Sequence, residues 1–288
     1  MNNINKEIHL KVLIFINGER GYQVIKFLEK KIFIDKIFLS QKFLDLKILK
    51  KIKRLKIPYK IINNIEKKII TTSLKKTDLA IVCGFPYIFQ EQYLKLPKFG
   101  IINCHAGKLP KYRGGSPLNW QIINQEKYIG ISVIKMSKKI DQGRIINEET
   151  ILNKNYDIIK IHQKVNAIFP NLVLKSIKDI INNKNFKKQD PDRAQYWKQR
   201  SEKDSMFYPK KLNASKILAL VKALQNPYPS PYFIDKNKKI LIKKATTYIK
   251  KIKPGSIKYN KNSIILGCKN SGLKLLSYEI KNYETQSS

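Results

Sequence analysis

The sequence predicts an α/β domain built on a mostly parallel sheet, followed by a small β-barrel, and two patterns carry that prediction. Through the first half of the 288 residues, short apolar runs alternate with longer amphipathic stretches. Strands that are apolar throughout belong to parallel sheets covered on both faces. In the last third, short strand-like runs follow one another closely, as in a small barrel.

Leu10–Ile16 reads as a buried strand ending at Asn17-Gly18, after which Tyr22, Ile25, Phe27 and Leu28 give Tyr22–Glu29 helical spacing. Ile34–Leu39 is a second strand, Leu44–Leu55 a helix, Tyr59–Ile62 a third strand, and Leu79–Cys83 a fourth after another helix. Phe99–Cys104 makes a fifth, Ile129–Met136 another, and Arg144–Leu152 leaves the turn Asp141-Gln142-Gly143. Tyr156–Ile181 is a long amphipathic helix, with apolar residues such as Ile158, Ile161, Val165, Leu172 and Ile177 on one face. From Asn182 to Asp204 the chain turns polar and loses its period, as a linker does. A helix at Ser215–Leu224 follows, then strands near Tyr232–Ile234, Ile240–Ala245, Gly255–Tyr259, Ser263–Cys268 and Leu273–Tyr278. The expected division is residues 1–185, a linker over 186–208, and a small domain over 209–288.

With 42% hydrophobic and 10% aromatic residues this is the composition of a folded chain, despite 58 Lys+Arg against 21 Asp+Glu and a formal charge of +37. Only six of the basic residues are Arg, and the lysines are spread along the chain beside frequent Ile and Asn. Such drift charges a surface without selecting a partner, although lysines do attract nucleic-acid phosphates. Cys83, Cys104 and Cys268 lie far apart, which indicates neither a metal site nor a disulfide framework and fits a reducing cytoplasm. No apolar run approaches the length of a bilayer span, and no small-residue cleavage site follows Val12–Ile16.

In parallel sheets, ligands lie beyond the carboxyl ends of the strands. Two loops stand out there: Gly84-Phe85-Pro86-Tyr87, and the longer segment from His105 to Pro117. Asn103 and His105 flank Cys104, so in an extended strand both side chains project from one face. An amide donor beside an imidazole suits a reaction in which an oxyanion develops on a carbonyl while a proton moves nearby. Asp141, on a later loop, is placed to orient His105 and favour its charged form. Each residue also has a plainer reading. A lone His at a strand end is commonly scaffolding, Asp before Gln-Gly is ordinary turn chemistry, and Arg113-Gly114-Gly115 is a flexible loop. Spacing alone leaves an α/β enzyme of unknown reaction.

Several separated motifs in order narrow that. Asn103-Cys104-His105, Leu109 to Trp120, Gly130 to Met136 and Asp141-Gln142-Gly143 resemble the catalytic region of the folate-dependent formyltransferases, densely from Asp78 to Ile181. The resemblance implies a Rossmann-like formyltransferase domain followed by an OB-like β-barrel domain. It also implies formyl transfer from 10-formyltetrahydrofolate to an amine, with neither a metal nor a covalent enzyme intermediate. Asn103 would stabilise the tetrahedral oxyanion, His105 act as general acid/base, and Asp141 favour the protonated form of His105 and position it. The folate pocket would draw on Tyr87, Ile88 and Phe89, on Gly115, and on Ser137, Lys138, Lys139 and Ile140. Two departures stand out: Gly107 replaces the Ser of the Ser-Leu-Leu-Pro run in many relatives, and Gly115 replaces an Arg found in some.

Ser116 to Asn124, with its Pro117-Leu118-Asn119-Trp120 core, is similar to the bacterial sugar formyltransferases, including the domain acting on UDP-4-amino-4-deoxy-L-arabinose. The loop Asn17 to Tyr22 lacks the Gly-Thr-Pro opening and long basic insertion of the enzymes that formylate methionyl-tRNA. The expected partners are therefore folate and a nucleotide-linked amino sugar, with initiator tRNA the less favoured acceptor, no membrane, and a possible homodimer through the strands of the small domain. A non-catalytic fold relative that merely binds folate or nucleotide is disfavoured by the intact Asn103, His105 and Asp141.

Overall fold

Val12 to Ile16 are apolar at every position, and such a strand is stable only when both its faces are covered. In the computed structural model, which describes residues 8–66 and 68–283, they form the core of β1 (Ile8–Ile16) and are fully buried. Then follow α1 (Gly18–Leu28), β2 (Ile32–Ser40), α2 (Leu46–Arg54), β3 (Tyr59–Ile62), α3 (Lys68–Lys75), β4 (Leu79–Cys83), α4 (Glu91–Leu94) and β5 (Ile101–His105). Next come β6 (Arg113–Gly114), α5 (Pro117–Ile123), β7 (Tyr128–Lys135), β8 (Ile145–Leu152), α6 (Ile158–Ile181), β9 (Tyr196–Trp197) and α7 (Ala214–Ala223). The chain ends with β10 (Tyr232–Asp235), β11 (Lys238–Tyr248), β12 (Ile257–Asn260), β13 (Ser263–Gly267) and β14 (Gly272–Asn282).

The large sheet has the order β3-β2-β1-β4-β5-β7-β8. Its first five strands are parallel, and β7 runs antiparallel to β5. Strand order reverses direction at β1 and β4, so the carboxyl ends of β4 and β5 open beside a topological switch point, where α/β sheets bind ligands. Phe15 of β1 stacks on Phe38 at 4.8 Å and meets Phe85 and Phe89 edge-on at 5.4 and 5.0 Å. That aromatic cluster seats the loop after β4 on the sheet.

The described residues fall into two compact units. The first takes the residues up to Gly114 with Gly130–Ile151 and His162–Tyr196; the second takes Gly115–Ile129, Leu152–Ile161 and the residues from Trp197 on. Part of the stretch 186–208, expected as a linker, belongs to the first unit and is ordered by pairing. Lys187 and Ile145 exchange backbone hydrogen bonds of 2.9 and 3.1 Å, and the Arg113 N–H donates to the Gln195 carbonyl at 3.0 Å. Its backbone groups are satisfied by irregular pairing, which leaves no hydrophobic period to read. Arg113-Gly114, for which a flexible loop is the plainer of the two readings, is the short strand β6 paired with β9.

The second unit holds a five-stranded antiparallel sheet in the order β10-β11-β14-β13-β12. Register shifts between Ile242 and Ala245 bend the long β11–β14 pair. The edge strands are joined by a side chain, the Tyr259 hydroxyl donating to Asp235 Oδ2 at 2.5 Å, so the sheet curls as the expected barrel does. Asn119, expected only as part of a motif, is buried in this unit, its Nδ2 donating to the Ala223 carbonyl at the end of α7 at 2.8 Å. Among the described residues no helix is long and apolar enough to cross a membrane.

Candidate active site

β5 reaches the carboxyl edge of the sheet with its alternation intact. Cys104 faces one side, and a hydrogen bond to Cys83 of β4 together with burial pushes its thiol well above the ordinary range. Asn103 and His105 face the other side. His105 is 6% exposed, and its Nε2 lies 2.6 Å from the Tyr112 carbonyl. A carbonyl only accepts, so Nε2 carries the hydrogen and Nδ1 is the nitrogen left to exchange a proton. Nδ1 is 3.5 Å from Asp141 Oδ2, in a carboxylate only 9% exposed.

Asp141 stands in a left-handed conformation, φ +53°, on the loop between β7 and β8. The Gly114 N–H donates to its Oδ2 at 2.9 Å, and Asn103 Nδ2 lies 3.5 Å from its Oδ1. Asn103, His105 and Asp141, 38 residues apart at the extremes, thus converge on one point. At 3.5 Å the Asn103 contact is long for a hydrogen bond, which leaves that amide free to serve another acceptor. Buried Ser132 of β7, opposite His105 in register, donates to the Gly107 carbonyl at 3.0 Å and holds the loop that follows β5. A Cβ on Gly107 would come within 2.5 Å of both His105 Nε2 and the Tyr112 carbonyl. The missing side chain at this position is what permits the observed imidazole setting.

Beside Asn103 and Asp141 is a cavity of 160 Å³. Tyr87, Ile88 and Phe89 line it from the β4 loop, and Ser137, Lys138, Lys139 and Ile140 from the Asp141 loop. The structure therefore brings together all but one of the residues expected to hold the co-substrate. The exception is Gly115, which belongs to the second unit and packs against the Gln199 backbone so tightly that a Cβ would come within 2.5 Å of it. No Cβ fits there, which accounts for a glycine where some relatives have Arg. Phe85 and Met136 also line the cavity. Their strand-end positions were readable, their direction was not. A largely apolar slot lined also by an amide and a carboxylate fits a flat heterocycle with a polar edge.

Gln189, on the stretch read as a linker, was missed altogether. It donates to the carbonyls of Asp141 and Gly143 and accepts from Arg113. Tyr196 braces the same loop, its hydroxyl accepting from Gln142 Nε2 and donating to the Ile140 carbonyl. No sequence signal marked Gln189, and Tyr196 stood out only as the start of a run, through Asp204, similar to the smaller domain of the family; side-chain bonds to backbone carbonyls have no period.

Residues 50–176 match the family model of formyl transferase, and residues 211–287 that of the formyl transferase C-terminal domain. The chain is 34% identical over 282 residues to the bifunctional polymyxin resistance protein ArnA of Wigglesworthia glossinidia brevipalpis, across 93% of this chain and 42% of that protein. It thus spans less than half the length of that relative. It is 32% identical over 213 residues to the methionyl-tRNA formyltransferase of Pelagibacter ubique, across 73% of this chain and 67% of that one. The crystal structure of the N-formyltransferase from Helicobacter canadensis in complex with folinic acid and dTDP-3-aminofucose shares the fold, with a TM-score of 0.68 at 17% identity, covering 93% of this chain and 99% of that one. The two models match in order along the chain, and a methionyl-tRNA formyltransferase is covered over two-thirds of its length at 32% identity, so the chain belongs to the formyl transferase family.

Proposed function

We propose that the protein transfers the formyl group of 10-formyltetrahydrofolate to a primary amine, and that the amine belongs to a nucleotide-linked amino sugar. The observation that carries the first part is the convergence of Asn103, His105 and Asp141, two of which, Asn103 and Asp141, line one largely apolar cavity. Tyr87, Ile88, Phe89, Ser137, Lys138, Lys139 and Ile140 would hold the folate, whose exocyclic N10 is the leaving nitrogen. The acceptor amine attacks the formyl carbon, a C–N bond forms, and charge develops on the formyl oxygen. The Asn103 amide donates to that oxygen. His105, with Nε2 fixed on Tyr112, carries at Nδ1 the proton that leaves the amine and is returned to N10 as the old C–N bond breaks. Asp141 faces Nδ1 and stabilises the imidazolium formed on the way.

For the acceptor, support comes from the Pro117 to Trp120 core, the short loop after β1, and similarity to ArnA over 93% of the chain. The Helicobacter canadensis fold relative is in complex with folinic acid and dTDP-3-aminofucose. Initiator methionyl-tRNA is the second reading, favoured by the charge of +37 and by the tRNA formyltransferase relatives. The test is incubation with 10-formyltetrahydrofolate and either a panel of dTDP- and UDP-linked amino sugars or charged initiator tRNA, with His105→Ala as control. Formylation of a sugar by the unmodified protein and not by the variant is expected. Efficient formylation of tRNA alone would reverse the acceptor, and full activity of His105→Ala would sink the chemistry.

A further inference from the structure

We infer that Gln189 is the positioning residue for Asp141, an assignment that rests on the formyl-transfer reading of this site. Its Nε2 donates to the carbonyls of Asp141 and Gly143, each at 2.7 Å, while its Oε1 accepts from Arg113 Nε at 3.0 Å and Nη2 at 2.9 Å. Both carbonyls belong to the loop in which Asp141 holds φ +53°. A left-handed conformation is unfavourable for a residue with a Cβ and persists only where its surroundings over-determine it. Gly143 cannot share the adjustment, because it lies so close to the Lys135 carbonyl that any side chain would overlap it.

The partner on the other side is equally fixed. Arg113 is 4% exposed, its backbone N–H donates to the Gln195 carbonyl at 3.0 Å, and its guanidinium lies 5.5 Å from the centre of the Tyr196 ring. The next residue, Gly114, supplies the N–H that holds Asp141 Oδ2 at 2.9 Å. Gln189 therefore joins the two segments that meet at Asp141: one carries its backbone, and the other pins its carboxylate. The 3.5 Å between Asp141 Oδ2 and His105 Nδ1 is the distance these two segments set. Only a glutamine has the required set of groups at this reach. An amide offers two donors and one acceptor in one plane, whereas a glutamate would turn an oxygen toward two carbonyl oxygens.

That difference supplies the test, made on the full chain with Gln189→Leu and Gln189→Glu. Gln189→Leu should lower kcat by about 10- to 100-fold through misplacement of a catalytic group, with KM for the folate changed by no more than about twofold. Gln189→Glu keeps the acceptor for Arg113 but loses both donors to the Asp141 loop, and should fall as far. In an Asp141→Asn background, Gln189→Leu should cost almost nothing further, because a residue acting through the carboxylate has nothing left to position. Hydrogen exchange of the Gly114 amide should quicken in Gln189→Leu while the amides of β5 and the melting temperature stay as they were. Wild-type kcat in both variants, or an equal loss in the Asp141→Asn background, would overturn the assignment. Should the unmodified protein transfer no formyl group, the reaction reading fails by itself, and Gly114 exchange still decides whether Gln189 places Asp141.

Discussion

Asn103 is the residue whose role rests on what it does not bond. Its contact to Asp141 is long, so its amide hydrogens remain available for an oxygen that becomes charged only during the reaction. Asn103→Ala should therefore reduce kcat by about 100- to 1,000-fold, as loss of one such donor does, while leaving folate affinity nearly unchanged. A matching rise in KM with kcat preserved would assign Asn103 to ground-state binding instead. Asn103 and His105 were legible because strand alternation fixes which side chains share a face, and Asp141 because it stood within a recognisable motif. Gly115 shows the limit of the same motif logic, since a loop's sequence gives its neighbours in the chain and not the backbone against which it packs. Gln189 left no trace, because its function lies in bonds to carbonyls that every residue type presents.

At the scale of elements, the apolar strands of the large sheet were readable to within about two residues at either end, because their runs of apolar residues stand out from the polar segments around them. The longer helices were placed, the short α4 and α5 were not, and no helix's tertiary partners were readable; the contact of α1 with α6 shows what that leaves out. Arg20, in the first turn of α1, lies with Nη2 3.5 Å from His162 Nδ1 and its guanidinium 5.3 Å from the ring centre of Phe169, both on α6. Burial, and secondarily the Arg20 charge, lower the pKa of His162 to about 4 from its ordinary 6.5. The unfolded chain therefore takes up this proton before the folded one does. The contribution is complete above pH 6.5 and is lost as pH falls to about 4, an acid destabilisation of about 3 kcal/mol. Denaturant unfolding at pH 7 and pH 4.5 should show a distinctly smaller drop for His162→Gln than for the unmodified protein. Equal drops would place the acid sensitivity in other groups.

At the scale of the whole molecule, a charge of +37 is an electrostatic field before it is a binding site. Its lysines occur in both units and along helices, strands and loops alike, as in the cavity-lining pair Lys138 and Lys139, the α2 run Lys50-Lys51 and the β11 pair Lys243-Lys244. Such a field attracts any polyanion, and the number of phosphates it neutralises separates the two acceptors. A tRNA gripped through about six to ten phosphates would lose about 10³- to 10⁵-fold in affinity between 50 and 200 mM salt. A nucleotide sugar, with about two charges on its diphosphate, would lose at most about tenfold over the same range. The proposed sugar acceptor therefore requires kcat/KM to fall shallowly with ionic strength when measured at subsaturating acceptor. A slope of tRNA size would mean that the surface charge, spread as it is, had been recruited to hold a nucleic acid.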